Sequence, residues 1–418
     1  MDIIKTCLSI LHSVVDRGVS FDHACQSIRG ERAIVHALCQ GVLKNWPRHN
    51  VYLSHLLRKP LAKKHHDINY LLRMGLFQLE DGVRPAPVIT HELVQACAHI
   101  NKIWAKSLVN ACLRRFLRER EGMRERLMSS NDVFRFNQMP WFIHQVQQSH
   151  PDGWQSVLEA LLNPVGLFVR VNTLAITIDD LLHIWDSEGV KACRLNDHSH
   201  YIELLDRPLP SQLPGYHQGW FYVQNPACDH LVKMLPPLDG LSVLEIGAFP
   251  GGKTTAVREV DTSQHYWHAI DVSKQRDSRF IENLNRMKCW VDYDVVDATA
   301  LESPSSYDLV IMDAPCSASG SMRHLVDYHI SKKEEDLDHL LDLQAAMLSK
   351  VWESVKEGGS LIYITCSIFA QENDDQINTF ILRHKDAVID QSAFFPPMVS
   401  RIQDGLYFAQ INKKHLSI

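Results

Sequence analysis

Val243-Leu244-Glu245-Ile246-Gly247-Ala248-Phe249-Pro250-Gly251-Gly252-Lys253-Thr254-Thr255 reads as a buried strand that ends in a glycine-rich loop and opens a helix. Glycines belong in such a loop because a Cβ would block the close approach of backbone N–H groups to a polar ligand. Outward from this stretch, short apolar runs recur at Tyr266 to Ile270, Tyr293 to Val296, Leu309 to Met312 and Ser360 to Ile364. Helical stretches separate them. Strands alternating with helices predict a mostly parallel, doubly wound sheet over residues 236–418, an α/β Rossmann-like domain.

The chain before this domain divides in two. Residues 1–130 read as all-α: Ile34, Leu38 and Val42, then Leu53, Leu56 and Leu57, then Ile68, Leu71, Leu72, Leu76 and Leu79 recur at helical steps. A further helix is predicted from about Lys102 to Arg120, with Trp104, Leu108, Cys112 and Phe116 inward and Arg114, Arg115, Arg118 and Arg120 on the other face, where they suit phosphate contact. Residues 131–235 read as a small α+β connecting domain. Leu167 to Val171, Val190 to Leu195 and Tyr201 to Leu205 are strand-like, and Ile178 to Ser187 is an amphipathic helix with Thr177 as its N-cap and Gly189 beyond its end.

Composition narrows the function. Residues 1–130 carry 20 Lys/Arg against 11 Asp/Glu (+9), whereas the rest carries 23 against 38 (−15). A basic helical third beside an acidic remainder fits a nucleic-acid-gripping part attached to a catalytic one. No apolar run is long enough to span a membrane, and the N-terminus lacks a signal pattern. Ten scattered cysteines without a CxxC pair indicate reduced thiols, so the chain reads as cytoplasmic. Nothing requires more than a monomer.

Two ligands compete for the glycine loop. Gly247, Gly252, Lys253 and Thr254 satisfy the Walker A pattern, and Leu309 to Asp313 resembles a Walker B strand, so a P-loop ATPase of RNA handling is one reading. Asp271, Asp297 and Asp313, however, close successive strands. Carboxylates there suit ribose hydroxyls, an adenine edge and a sulfonium better than a triphosphate. The charge logic favours S-adenosylmethionine.

Asp313-Ala314-Pro315-Cys316-Ser317 and Ile364-Thr365-Cys366-Ser367 follow neighbouring strands beside that crevice. Two thiols there match one chemistry well. Cytosine carbon 5 is a poor nucleophile until a thiolate adds to carbon 6, and its proton must later leave to a base. One cysteine attacks and the other assists release; spacing alone does not say which.

Pro-Gly-Gly-Lys, Asp-Ala-Pro-Cys-Ser and Thr-Cys-Ser in this order resemble the Nop/Sun RNA cytosine-5 methyltransferases. Pro140-Trp141, Arg170-Val171-Asn172, Asp404-Gly405 and Phe408-Ala409 add to the likeness. Residues 1–130, with Leu38 to Lys44 and Leu71 to Leu79, are similar to the NusB-like RNA-binding domain, a pairing typical of the bacterial Sun/Fmu branch that acts on 16S ribosomal RNA. The resemblance implies three domains: a NusB-like domain over 1–130, the connecting domain over 131–235 and the methyltransferase domain over 236–418. It makes Cys366 the nucleophile and Cys316 the release-assisting thiol. It assigns cofactor contacts to Gly247, Ala248, Phe249, Pro250, Gly251, Gly252, Lys253, Asp271, Asp297 and Asp313. By the same resemblance Asp313 is expected also to hold the cytosine edge and Lys253 to orient the carboxylates. The expected substrate is 16S ribosomal RNA with its cytosine in a loop or splayed from a helix, with no metal required.

The chain departs from the family pattern at three places. Phe249 stands where alanine is usual and is expected near the methionine end of the cofactor. Gln224-Asn225-Pro226-Ala227-Cys228 replaces a Gln-Asp-Ala-Ser stretch, and Arg323-His324-Leu325-Val326-Asp327 replaces Arg-Arg-His-Pro-Asp. These departures motivate a rival reading, an RNA-binding ribosome-assembly factor with weakened or lost catalysis. Scattered pairs such as His65-His66, or His91 with Cys97 and His99, do not make four ligands at a metal spacing.

Overall fold

The computed structural model describes residues 2–26, 28, 31–195, 200–263, 265–302, 306–398 and 403–415. They form two compact units, one of residues 1–147 and 324–335, the other of residues 148–323 and 336–418. Among the described residues, no helix is long and apolar enough to cross a membrane.

The first unit is helical. Arg32–Lys44, His66–Asp81, Ala86–His99 and Lys106–Ser130 supply most of its core. Leu38, Val42, Ile68, Leu71, Leu72, Leu76 and Leu79 are buried as their periodicity predicts. Ile34 is not: it is 51% exposed, and Val35 takes the inward place in register with Leu38, Cys39 and Val42. The long helix begins later than predicted, because Ile103–Ala105 form a separate single turn. Trp104 therefore leaves the inner stripe and meets His65 edge-on, while Val109, Cys112, Leu113 and Phe116 face the core. The arginine face is partly neutralised: Arg115 and Arg118 pair with Glu119, and Arg120 pairs with Glu121. Val326 and Ile330 pack on this core, and the Asp327 carboxylate accepts the Phe21 N–H at 2.9 Å.

The second unit holds two sheets. Strands β1 (Leu167–Val171), β2 (Ala192–Arg194), β3 (Tyr201–Leu204) and β4 (Phe221–Val223) form an antiparallel sheet in the order β2-β3-β1-β4. Helix Ile178–Ser187 covers it, and the Thr177 hydroxyl accepts the Asp180 N–H at 3.1 Å as an N-cap. β4 was not predicted; three residues are too short for a period to register.

The larger sheet runs β10-β11-β9-β8-β5-β6-β7. Its parallel strands are β5 (Ser242–Ile246), β6 (Tyr266–Asp271), β7 (Asp292–Val295), β8 (Tyr307–Asp313) and β9 (Val355–Thr365). The last two, β10 (Ala387–Phe395) and β11 (Leu406–Lys413), are antiparallel additions beyond β9. Val243, Leu309, Ile311, Ile362 and Ile364 pack into one core and Leu244, Ile246, Val310, Met312, Leu361 and Tyr363 into another. Alternate residues thus bury both faces, which is why these strands read as continuous apolar runs.

A buried cation ties the two sheets of this unit together. Arg170 of β1 is fully buried; it donates from Nε to Glu259 Oε2 at 2.7 Å and from an η nitrogen to Asp229 Oδ1 at 2.9 Å. Glu259 lies on helix Gly252–Val260, directly after the glycine loop. Removing one partner of such a pair strands the other charge. Arg170→Ala is expected to lower the unfolding free energy of this unit by about 3–5 kcal/mol in urea denaturation. A loss below about 1 kcal/mol would mean that the carboxylates escape to water.

Candidate active site

β5 stops at Ile246, and Gly247 turns the chain with φ +71°. A Cβ there would lie 2.5 Å from the Asp313 carbonyl oxygen, so glycine lets the loop leave beside β8. Gly247 and Ala248 both donate N–H to the Ile270 carbonyl, at 2.9 and 3.2 Å. Gly251, with φ +98°, precedes helix Gly252–Val260, and a Cβ on Gly252 would meet nothing nearer than 3.9 Å. The helix start is an open cradle.

Three carboxylates face this edge of the sheet. Asp271, at the end of β6, accepts the Phe249 N–H at 3.1 Å on one oxygen and the Ser273 N–H at 2.8 Å on the other. Asp297, just past β7, is exposed and accepts the Thr299 N–H at 2.9 Å through one oxygen. Asp313 ends β8 and pairs with the Lys253 ammonium. Burial works against the charge on Lys253, but Asp313 outweighs it and holds the ammonium above its ordinary range.

These commitments decide between the two ligands. A Walker A loop needs its lysine on the outer phosphates and its Thr hydroxyl on magnesium. Here Lys253 is held by Asp313, and the Thr254 hydroxyl is buried, donating to Glu245 Oε2 at 2.7 Å. In this arrangement neither side chain is turned toward a triphosphate. Ribose hydroxyls and a cationic sulfonium suit the three carboxylates, and the glycine cradle leaves them room.

Phe249 departs from its expectation. Its ring is 3% exposed and packs on Phe280 with centroids 4.5 Å apart, inside the core rather than facing the cradle. Phe280 and Tyr293 supply an aromatic pocket that an alanine would leave empty. Asn225 also has a local reason. It accepts the Ala227 N–H at 2.9 Å and donates to Asp404 Oδ2 at 2.8 Å, which a carboxylate at this position could not do while ionised. Asp404 in turn takes a hydrogen bond from the buried Arg323 at 3.1 Å.

The two cysteines meet. β8 and β9 are parallel with Asp313 opposite Ile364, so the segments that follow emerge side by side. Cys316 Sγ lies 3.4 Å from Cys366 Sγ. Gly320 N–H donates to the Cys366 carbonyl at 2.9 Å, closing the loop between them. The shared hydrogen bond splits the thiols. It raises Cys316 well above its usual range, with burial adding to the effect, and lowers Cys366 despite burial and the Asp313 charge. The direction of this split favours thiolate character at Cys366 over Cys316, while either sulfur is placed to donate.

Sequence reasoning missed other members of this site. Cys228 is a third thiol, within electrostatic reach of Lys253 and Asp313, and burial pushes it up to about 11, so it stays protonated. Ser317, Ser319, Ser367 and Glu372 form a buried cluster behind the cysteines. The serine after each cysteine was the available signal. Among the described residues, no group of three or more His, Cys, Asp or Glu could hold a metal ion. His66 instead hydrogen-bonds Asp16, and the Cys97 thiol bonds its own helix at the Leu93 carbonyl.

Comparison with known proteins identifies the family. A family model described as 16S rRNA methyltransferase RsmB/F matches residues 232–414, the NusB family matches 12–118, and an RsmF/B-like ferredoxin-like domain matches 140–210. The ribosomal RNA small subunit methyltransferase B of Serratia proteamaculans is 31% identical over 90% of this chain and 88% of its own length. That of Proteus mirabilis is 31% identical over 96% of each. The chain belongs to the RsmB/F family of 16S ribosomal RNA methyltransferases. It is a ribosomal RNA methyltransferase, and S-adenosylmethionine is its cofactor. The crystal structure of PH0851 has the same fold, with a TM-score of 0.78 at 18% identity over 98% of both chains. The NusB-like, connecting and Rossmann-like parts expected from the sequence are all present.

Within this RsmB/F-type site, Glu245 stands where β5 meets the loop, and it is almost fully buried. Its Oε2 takes hydrogen bonds from Thr254 at 2.7 Å and Trp267 at 3.1 Å, and Oε1 has none. Burial outweighs these bonds and raises the carboxyl from 4.5 to about 7. Its share of stability is then complete below pH 4.5 and declines as pH climbs through about 7, by about 3 kcal/mol in all. Glu245→Gln is expected to remove that decline from the pH dependence of thermal unfolding; an unchanged profile would mean that the carboxyl titrates alike in the folded and unfolded chain.

Proposed function

We propose that this methyltransferase modifies carbon 5 of a cytosine in 16S ribosomal RNA through a covalent bond between Cys366 Sγ and carbon 6 of the base. The observation that carries this reading is the 3.4 Å approach of the Cys316 and Cys366 sulfurs at the end of β8 and β9. Curated relatives bear the name ribosomal RNA small subunit methyltransferase B, which supports the RNA class. The three-part division at residues 130 and 235 belongs to the same reading, with the basic helical part gripping RNA.

In this mechanism the Cys366 thiolate adds to carbon 6 from above the ring, so the base must stand clear of its neighbours. The Asp313 carboxylate, steadied by Lys253, holds the pyrimidine edge while electron density moves to carbon 5. The bound S-adenosylmethionine supplies the methyl group that carbon 5 accepts. The proton on carbon 5 then leaves to a base, its electron pair restores the ring double bond, and Cys366 departs as a thiolate. Cys316 assists that departure with the S–H bond that already favours the Cys366 thiolate. A better-stabilised thiolate is a better leaving group.

The test incubates protein, tritiated-methyl S-adenosylmethionine and unmodified 16S ribosomal RNA. Wild type is expected to yield labelled 5-methylcytidine. Cys366→Ala should lower that yield about a thousandfold or more, whereas Cys316→Ala should trap RNA on the protein as a denaturant-stable adduct. No label on any RNA, despite measurable cofactor binding, would overturn the reading.

A further inference from the structure

Cys316 and Cys366 lie on separate segments of the chain, yet one buried carboxylate joins both. Glu372 is 0% exposed. Its Oε1 accepts the Ser317 N–H at 2.7 Å and Gln344 Nε2 at 3.1 Å. Its Oε2 accepts the Ser317 hydroxyl at 2.5 Å and also the Ser367 hydroxyl. Ser317 directly follows Cys316 and Ser367 directly follows Cys366, so each thiol is one peptide away from a bond to the same side chain. Ser319 completes the cluster, with its Oγ 3.0 Å from both Ser317 Oγ and Ser367 Oγ and accepting the Ile368 N–H at 2.9 Å.

Two neighbours stiffen the arrangement. Gln344, on helix Glu335–Trp352, also donates to the Pro315 carbonyl at 2.9 Å, gripping the Cys316 segment from a second side. Asn373 holds the other segment, donating to the Ser367 carbonyl at 3.0 Å and accepting the Thr365 hydroxyl at 2.6 Å. Ala318 sits in the left-handed region at φ +57°, a conformation that a non-glycine residue keeps only when its surroundings impose it. Every donor aimed at Glu372 is buried, so none can turn to water if the carboxylate is lost.

We propose that Glu372 is a positioning residue for the two-thiol chemistry, locking the Cys316 segment to the Cys366 segment and so setting the separation of the sulfurs. The proposal rests on the cysteine roles given above and adds a residue that touches neither base nor cofactor. The step most sensitive to it is release. Addition needs Cys366 alone, but departure of Cys366 needs Cys316 within hydrogen-bond reach.

The experiment compares wild type, Glu372→Gln, Ser317→Ala, Cys316→Ala and Cys366→Ala in the full chain. An amide in place of the carboxylate turns one acceptor into a donor, so it cannot receive both serine hydroxyls on one atom and the Ser317 N–H with Gln344 Nε2 on the other. Glu372→Gln is expected to bind S-adenosylmethionine normally and to keep KM for RNA within about threefold. Its kcat should fall about tenfold or more, with the same denaturant-stable protein–RNA adduct that Cys316→Ala accumulates. The pH midpoint for alkylation of Cys366, followed by peptide mapping, should rise, because the thiol partner has moved away; a purely structural role would leave it in place. Ser317→Ala removes one hydroxyl donor on the Cys316 side and should show a milder form of both effects, which decides the matter if Glu372→Gln does not fold. Wild-type turnover in both variants, or lost activity without adduct or pH shift, overturns the positioning role while the cysteine reading stands. Label that survives Cys366→Ala would overturn that reading, and the role of Glu372 with it.

Discussion

β5, β8 and β9 run parallel through the middle of a sheet whose two faces are both covered by apolar side chains. That burial is the constraint from which the site follows. With both faces occupied, the strand ends are the surface left for polar chemistry, and parallel strands bring their C-terminal ends to one edge. Asp271 and Asp313 close such ends, and Gly247, Asp297, Cys316 and Cys366 lie just past them. β10 and β11 extend the sheet beyond β9 with opposite direction and leave that edge intact.

Charge is then allotted by pairing. Lys253 is held by Asp313, Thr254 by Glu245, and Arg170 by Glu259 and Asp229. Each bond satisfies a buried polar group that would otherwise cost stability. Together they turn the side chains of a Walker-like loop away from any phosphate, while the carboxylates at the strand ends stay with the ligand side. The same letters that spell a nucleotide loop thus serve a sulfonium ligand, because neighbouring strands decide where the lysine and threonine point.

The thiols differ although their sequence settings look alike. Each follows a strand end and precedes a serine. Their contact breaks the symmetry: one hydrogen bond between two sulfurs has one donor, and the thiol that receives it is the more acidic. Gly320, bonded to the Cys366 carbonyl, and Glu372 behind the serines keep that contact short. The nucleophile role of Cys366 remains the proposal that the family resemblance motivates.

Local pattern by itself determined the strands of the parallel sheet, the glycine loop, the helical periodicity before residue 130 and the places of Asp271, Asp313, Cys316 and Cys366. These follow from backbone sterics and hydrophobic spacing, which act over a few residues and are written in order along the chain. It misjudged Trp104, whose turn is separate from the helix, and Phe249, which turns into an aromatic core built from Phe280 and Tyr293. Glu372 was invisible because its importance depends on Ser317, 55 residues away, and on Gln344. How close the two cysteines come, where Lys253 points and what binds the serines were decided by the tertiary structure alone. Electrostatics and hydrogen bonds act through space between strands, and no spacing along the chain encodes the distance between two loops.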